Sequence, residues 1–347
     1  MILGDPAAAL AAQQSQRRAS IDEVFRRIAQ KNPEKLALAD APNRRTFTDG
    51  APRRLTYAQA DRTVAAIAGR LRRMGMATDT IVGIQMPNVV ENVLTILGVL
   101  RAGMIAAPLP LLWRRAETIA ALARIGGKAL ITCGHVGGFN HCQLAMRIAS
   151  EVFSIRYVCG FGDKLPDGVV PFDDLFRADR LDPIPPLDRD RLASAAAHIG
   201  LITFDVGDNG IVPVARNHME MLAGGLGVTL ESKLAHDSRI LSTVAPSSFA
   251  GFSLTVMPWL LSAGTLYLHH PFDADVLAQQ RRDDGCRTLI LPGAVALRLA
   301  EMGAFTRDGA GTVVATWRAP ERLATGPVWR ERDVGLVDVS IFGEAGL

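Results

Sequence analysis

What most constrains this chain is a unit that recurs along its length: an apolar run, a helical stretch with apolar residues at three- and four-residue spacing, then another apolar run. It is clearest from Leu55 onward. Thr56 and Gln59 have the spacing of a capping box, and Ala60, Val64, Ile67, Leu71 and Met74 recur on one helical face until Gly75. Residues 80–86 then read as a strand, Asn88 stands where the cap of a second helix through Leu100 belongs, Gly103 ends that helix, and residues 104–109 are apolar enough for a buried strand. A helix over 116–125 precedes a strand over 129–132, and a helix over 139–153 precedes a strand over 156–159. Such alternation predicts parallel, doubly wound sheets, because consecutive parallel strands need a crossover and a helix supplies it.

Residues 181–190 break the pattern, with Pro183, Pro185 and Pro186 set among charges. Proline denies both helix and ladder hydrogen bonds, so this is the predicted linker. At 347 residues the chain exceeds one ordinary core. The expected layout is an N-terminal tail over 1–20, a first α/β lobe over 21–182, a linker over 183–190 and a second α/β lobe over 191–347. In the second half, strands are predicted over 199–204, 239–244, 265–269, 288–291, 312–315 and 337–342, with helices over 217–230, 252–262, 274–282 and 294–302.

Composition removes several function classes. With 48% hydrophobic and 21% charged residues the chain is globular, and its 38 Lys+Arg and 35 Asp+Glu are interspersed, with no basic stripe for nucleic acid. The uncharged stretch 249–268 is long enough to span a bilayer, but Ser253, Pro258, Ser262 and Gly264 divide it into a buried helix and a strand, so no membrane span is expected. Cys133, Cys142, Cys159 and Cys286 lack C-x-x-C spacing and the start has no secretory pattern, which predicts reduced thiols and a cytoplasmic protein.

Among the local motifs, Cys133, His135, His141 and Cys142 have ligand chemistry, but adjacent His141 and Cys142 are poorly placed to share a metal. Gly251-Phe252-Ser253-Leu254-Thr255 lacks the second glycine of a nucleophile elbow, and Gly160-Phe161-Gly162 lacks the rest of a dinucleotide fingerprint. The segment from Asp205 to His218 carries more. A glycine-bearing loop between a buried strand and a helix start can present backbone N–H groups to phosphate, although Asp-Asn-Gly is also an ordinary turn.

Leu55-Thr56-Tyr57-Ala58-Gln59-Ala60-Asp61, Arg70-Leu71 to Gly75, Ile81-Val82-Gly83-Ile84-Gln85-Met86-Pro87-Asn88, and Leu100-Arg101-Ala102-Gly103 to Pro108-Leu109 closely resemble the start of AMP-forming acyl-CoA synthetases, members of the adenylate-forming superfamily. The resemblance runs from about Ile21 to Leu347. It implies two α/β lobes of the N-terminal domain type, without the family's C-terminal barrel and lid. It also implies a carboxylic acid as small-molecule partner, activated with ATP and Mg as an acyl-adenylate and then passed to coenzyme A.

The same resemblance assigns site residues. Gly207, Asp208, Asn209, Gly210 and Arg216 correspond to the phosphate loop, which in the family reads Thr/Ser-Ser-Gly-Thr-Thr-Gly-x-Pro-Lys-Gly; here Asp208 and Asn209 replace hydroxyls and Val214 stands at the lysine. A carboxylate about 4 Å from a phosphate charge costs roughly 4 kcal/mol at an effective dielectric of 20, so weak ATP binding is expected unless Arg216 supplies the charge. Ser248, Phe249 and Gly251 resemble the turn beside the acyl pocket, and Trp317, Ala319 and Pro320 resemble a glycine-rich lining that Trp317 would narrow. Glu344, in Gly343-Glu344-Ala345-Gly346, matches the magnesium-associated glutamate. The expected function is an adenylation domain of a carboxylic acid–CoA ligase; the alternative is a non-catalytic relative that binds an acyl or nucleotide ligand. This chain by itself is expected to be inactive.

Overall fold

The computed structural model describes residues 19–177, 195–208, 210–305, 311–318, 329–331 and 333–347. In chain order the described elements are α1 (Ile21–Lys31), β1 (Leu36–Ala39), β2 (Arg54–Thr56), α2 (Tyr57–Arg73), β3 (Ile81–Gln85), α3 (Val90–Arg101), β4 (Ile105–Pro108), α4 (Arg115–Ile125), β5 (Ala129–Cys133), β6 (His135–Val136), β7 (Phe139–Asn140), α5 (His141–Ala149), β8 (Tyr157–Phe161) and β9 (Val170–Pro171). They continue with β10 (Ile199–Gly207), β11 (Gly210–Asn217), α6 (His218–Glu231), β12 (Arg239–Ser242), α7 (Phe249–Ser262), β13 (Thr265–Leu268), α8 (Ala274–Asp283), β14 (Thr288–Pro292), α9 (Gly293–Glu301), β15 (Thr312–Arg318) and β16 (Gly335–Ile341).

The strands form two large sheets, ordered β16-β15-β14-β12-β13-β1-β2 and β11-β10-β4-β3-β5-β8-β9. Neighbours are parallel except at two edges, β1–β2 and β10–β11, which are antiparallel. Paired α/β sheets are thus present as the alternation predicts, but the sheets do not divide at the proline-rich segment. Leu38 of β1 pairs with Leu266 of β13, and Leu201 of β10 pairs with Ala106 of β4. Each half of the chain therefore lends strands to the other half's sheet, and a split into 21–182 and 191–347 does not describe them. The reason is that a strand pairs with whichever open sheet edge suits its apolar faces, near in sequence or far. The predicted linker, 183–190, lies outside the described residues.

Period-2 alternation sets the layers. In β14, Ile290 points into a central core while Leu289 and Leu291 point into an outer one with Leu277 of α8 and Leu297 of α9. In β5, Ile131 faces the central core while Leu130 faces another outer core with Leu122 of α4 and Ile148 of α5. Helices α2, α3 and α7 fill the space between the sheets. Their sequences suit that place: α3 and α7 are apolar nearly all round, and α2 and α3 approach closely enough that a Cβ on Gly98 would lie 2.5 Å from Ile67. Burying Phe252, Leu254, Met257, Trp259 and Leu260 of α7 removes apolar surface worth about 1.5–3 kcal/mol per side chain. The stretch 249–268 is this helix and β13. Among the described residues no helix is long and apolar enough to cross a membrane.

Most helix starts follow the sequence signals. Thr56 accepts from Gln59 N at 3.3 Å, and Gln59 returns the bond to Thr56 N at 2.9 Å. Asn88 is an exception. Helix α3 begins at Val90, whose N–H donates to Asp40 Oδ1 at 2.8 Å, while Asn88 Nδ2 reaches the other sheet and donates to the Ser242 carbonyl at 2.9 Å. The helix predicted from Phe139 begins at His141, because Phe139–Asn140 pairs with His135–Val136 and Asn140 caps Gln143 N.

A buried charge cluster ties the sheets together. Arg44 Nη1 donates to Asp40 at 2.6 Å and to Glu91 Oε2 at 2.8 Å, and Nη2 donates to Glu91 Oε1 at 2.7 Å and to the Asp49 carbonyl at 2.9 Å. Arg53 Nε adds a bond to Glu91 at 2.7 Å, and its Nη2 pairs with Asp173 at 2.9 Å. Asp40 follows a strand of one sheet and Glu91 opens the helix after a strand of the other. Burial and the Glu91 charge push the Asp40 carboxyl up, with Arg44 opposing.

Candidate functional site

The predicted phosphate loop is a hairpin. Gly207 pairs with Gly210, and β11 then runs antiparallel to β10 up to Asn217. Asn209 lies outside the described residues; Gly207, Asp208 and Gly210 are exposed at the tip. Gly210 has φ +86°, which a side chain would strain. The loop expected between a strand and a helix start is thus a strand, because Ile211-Val212-Pro213-Val214-Ala215 continues the ladder, with Val214 opposite Thr203. Arg216 lies six residues from Gly210, roughly 20 Å along an extended strand, so the tip and Arg216 do not form one phosphate cradle.

Arg216 instead meets residues from two distant segments. Its guanidinium lies 3.8 Å from the Phe249 ring centroid and donates to the main-chain carbonyl of Glu344. The Glu344 carboxylate is buried: Oε2 accepts from Thr203 Oγ1 at 2.5 Å and from Phe249 N at 3.0 Å. Phe249 is the first residue of α7, and Ser248 caps that helix by accepting from Gly251 N at 2.9 Å. Gly251 is sterically required, since a Cβ there would lie 2.1 Å from the Ala245 carbonyl oxygen. Gly343, at φ +57°, turns the chain beneath Asp205, whose Oδ2 would be 2.6 Å from an added Cβ. Burial pushes the Glu344 carboxyl up; the Thr203 hydroxyl, the Phe249 N–H and the Arg216 charge pull it down, and Asp205 adds repulsion.

Four of the expected site residues therefore converge, Arg216, Ser248, Phe249 and Glu344, drawn from three stretches that are far apart in sequence. Trp317 does not join them. Val313, Ala315 and Trp317 alternate onto the outer core, where the indole packs so closely that a Cβ on Gly293 would be 2.0 Å from its Cε2. The expectation that it narrows the pocket is corrected by strand periodicity. Ala319 and Pro320 lie outside the described residues. Sequence reasoning missed Thr203 and Asp205. Since Ile202 and Phe204 face the outer core, alternation alone points Thr203 and Asp205 to the other side. The Cys133, His135, His141 and Cys142 motif holds no metal-ligand group, as no such cluster occurs among the described residues. All four cysteines are free and buried.

Residues 25–190 match the family model for AMP-binding enzymes. The match covers the N-terminal part of the chain, just under half of it. Long-chain fatty acid transport protein 1 of Bos taurus is 34% identical to the chain over 154 residues, which are 44% of this chain and 22% of that protein. Likeness in fold extends over the second half as well. An apo structure of Mycobacterium smegmatis MbtA superposes with TM-score 0.73 at 19% identity, covering 96% of this chain and 59% of that one. Acetoacetyl-CoA synthetase from Streptomyces lividans gives TM-score 0.75 at 17% identity, covering 92% and 51%. The chain thus spans little more than half the length of these structures and has the fold of the N-terminal domain of adenylate-forming enzymes. The cluster around Glu344 lies beyond the segment that the family model matches.

Proposed function

We propose that the chain is the acid-binding domain of an AMP-forming carboxylate–CoA ligase-like protein, taking a small carboxylic acid beside Arg216 and Phe249. The observation that supports this is the convergence of Thr203, Arg216, the α7 N-terminus and Glu344: a hydroxyl and a backbone N–H meet on the Glu344 carboxylate, and a guanidinium holds the main-chain carbonyl of the same residue. Hydrogen bonds with a charged partner are the strong ones, and such donors select an acid group.

The residues present do not fit Mg-ATP. The hairpin closes with Gly207 opposite Gly210 where a phosphate loop would need length, and Val214, at the position of the family's lysine, continues the ladder opposite Thr203. The non-catalytic reading is favoured by that hairpin. ATP, magnesium and coenzyme A belong to the expected chemistry of a longer protein with a complete site. The free, buried cysteines suit the reducing cytoplasm proposed for it.

The test is to incubate the chain with ATP, magnesium, coenzyme A and a panel of aliphatic and aromatic acids. The expected result is thermal stabilisation by particular acids without acyl-CoA or acid-dependent pyrophosphate. At a hundred times its Kd an acid stabilises by about 2.7 kcal/mol, a rise of about 4 °C for a chain of this length. Pyrophosphate release that depends on one acid and is lost in Glu344→Gln would restore a working adenylation site.

A further inference from the structure

The carboxylate of Glu344 sits in a set of donors that do not depend on it for their placement. Thr203 lies in the middle of β10, opposite Val214, and is fully buried. The Phe249 N–H is aimed by the start of α7, a fourteen-residue helix that Ser248 caps independently through Gly251 N. Arg216 is fixed by strand β11, opposite Leu201, and its buried Nε has no hydrogen-bond partner among the described residues. The acceptor is held differently. Glu344 belongs to a short turn after β16, closed by Phe342 N to the Gly346 carbonyl at 3.1 Å and Ala345 N to the Phe342 carbonyl at 3.0 Å. The donors are set by strands and a helix start, and the carboxylate by a turn.

We infer that Thr203 Oγ1 and Phe249 N–H, which hold the Glu344 carboxylate, together with the Arg216 guanidinium, which holds the Glu344 main-chain carbonyl, form a binding site for the carboxylate of a small acid, and that Glu344 is the chain's own occupant, which an acid ligand must displace. This inference rests on the acid-binding reading above and names the regulation of that site. The charges require competition. With Asp205 Oδ2 3.5 Å from Glu344 N, the site holds two carboxylates to one guanidinium, so a third carboxylate enters only as Glu344 leaves. A carboxylate matches the donor set better than a phosphate, because two donors converge on one oxygen at 2.5 and 3.0 Å and a single cation faces them.

The experiment is calorimetric titration of the chain with benzoate and, in a separate arm, with inorganic phosphate. Glu344→Ala and Glu344→Ser are made in parallel so that the result does not depend on one variant folding. Both are expected to bind benzoate at least tenfold more tightly than wild type, and Arg216→Ala in the Glu344→Ala background is expected to return the affinity to the wild-type level or below. Glu344→Gln, which keeps an oxygen for the two donors, is expected to gain less than Glu344→Ala. Equal benzoate affinity in wild type and Glu344→Ala overturns the displacement and leaves the acid-binding reading standing. Tightening for phosphate alone overturns the choice of carboxylate. No benzoate binding by any variant overturns both.

Discussion

Replacing Arg44 with Met removes the cation between Asp40 and Glu91 while keeping an unbranched apolar stem about as far as Nε. Arg44 is 2% exposed and Glu91 is not exposed at all, so water does not enter to compensate. The change deletes four hydrogen bonds, at 2.6, 2.8, 2.7 and 2.9 Å, and leaves Glu91 with Arg53 and Asp40 with backbone donors. Breaking a buried pair by removing one partner costs about 3–5 kcal/mol, because the remaining charge stays desolvated. At about 2.1 cal/mol/K per residue the unfolding entropy is about 0.7 kcal/mol/K, so the expected fall in Tm is about 4–7 °C. The pH dependence carries a sign. Without Arg44 the two carboxyls are raised in the folded state above their unfolded values near 4, so stability falls as pH rises through that window. Urea denaturation followed by circular dichroism should show a larger deficit at pH 8 than at pH 5. A deficit under about 1 kcal/mol, or one equal at both pH values, would refute the account of this cluster as a buried, charge-compensated tie between the sheets.

Other perturbations read other parts of the structure. Gly293→Ala puts a Cβ 2.0 Å from the Trp317 ring and should cost about 1–3 kcal/mol by urea titration, with Gly293→Ala/Trp317→Ala costing less than the sum of the two single changes. Trp317→Ala should lose about 3–5 kcal/mol of stability and leave the benzoate affinity of Glu344→Ala unchanged, since the indole faces the outer core; an altered affinity would return Trp317 to the pocket. Burial, with the Arg114 charge second, lowers His141 to about 4, against about 6.5 unfolded. The unfolded chain therefore binds the extra proton first, and up to roughly 3 kcal/mol present above pH 6.5 should be lost as pH falls toward 4. His141→Gln should flatten that slope in urea titrations between pH 7.5 and 4.5, and an unchanged slope would show that His141 is not its source.

Much of the architecture follows from local chemistry. The capping pair Thr56 and Gln59, the one-sided spacing in α2 and the all-round apolar α3 and α7 are decided within a few residues, and that range is enough to set element type. The strand–helix alternation likewise carries the parallel sheets, and residues 55–109 carry the likeness to the family. Sheet membership was not legible. Leu36–Ala39 and Ile199–Gly207 cross to the sheet of the other half, because edge pairing is settled by the faces that become buried together and not by distance along the chain. The candidate site divides in the same way. Arg216, Phe249 and Glu344 each stood in a recognisable segment, but only tertiary packing shows that they touch, that Trp317 faces outward, and that the carboxylate of Glu344 is spent on Thr203 and the start of α7. Residue type determines what a side chain can donate or accept. Whether a donor is free for a ligand depends on what the fold has already placed against it, and here the fold has placed Glu344.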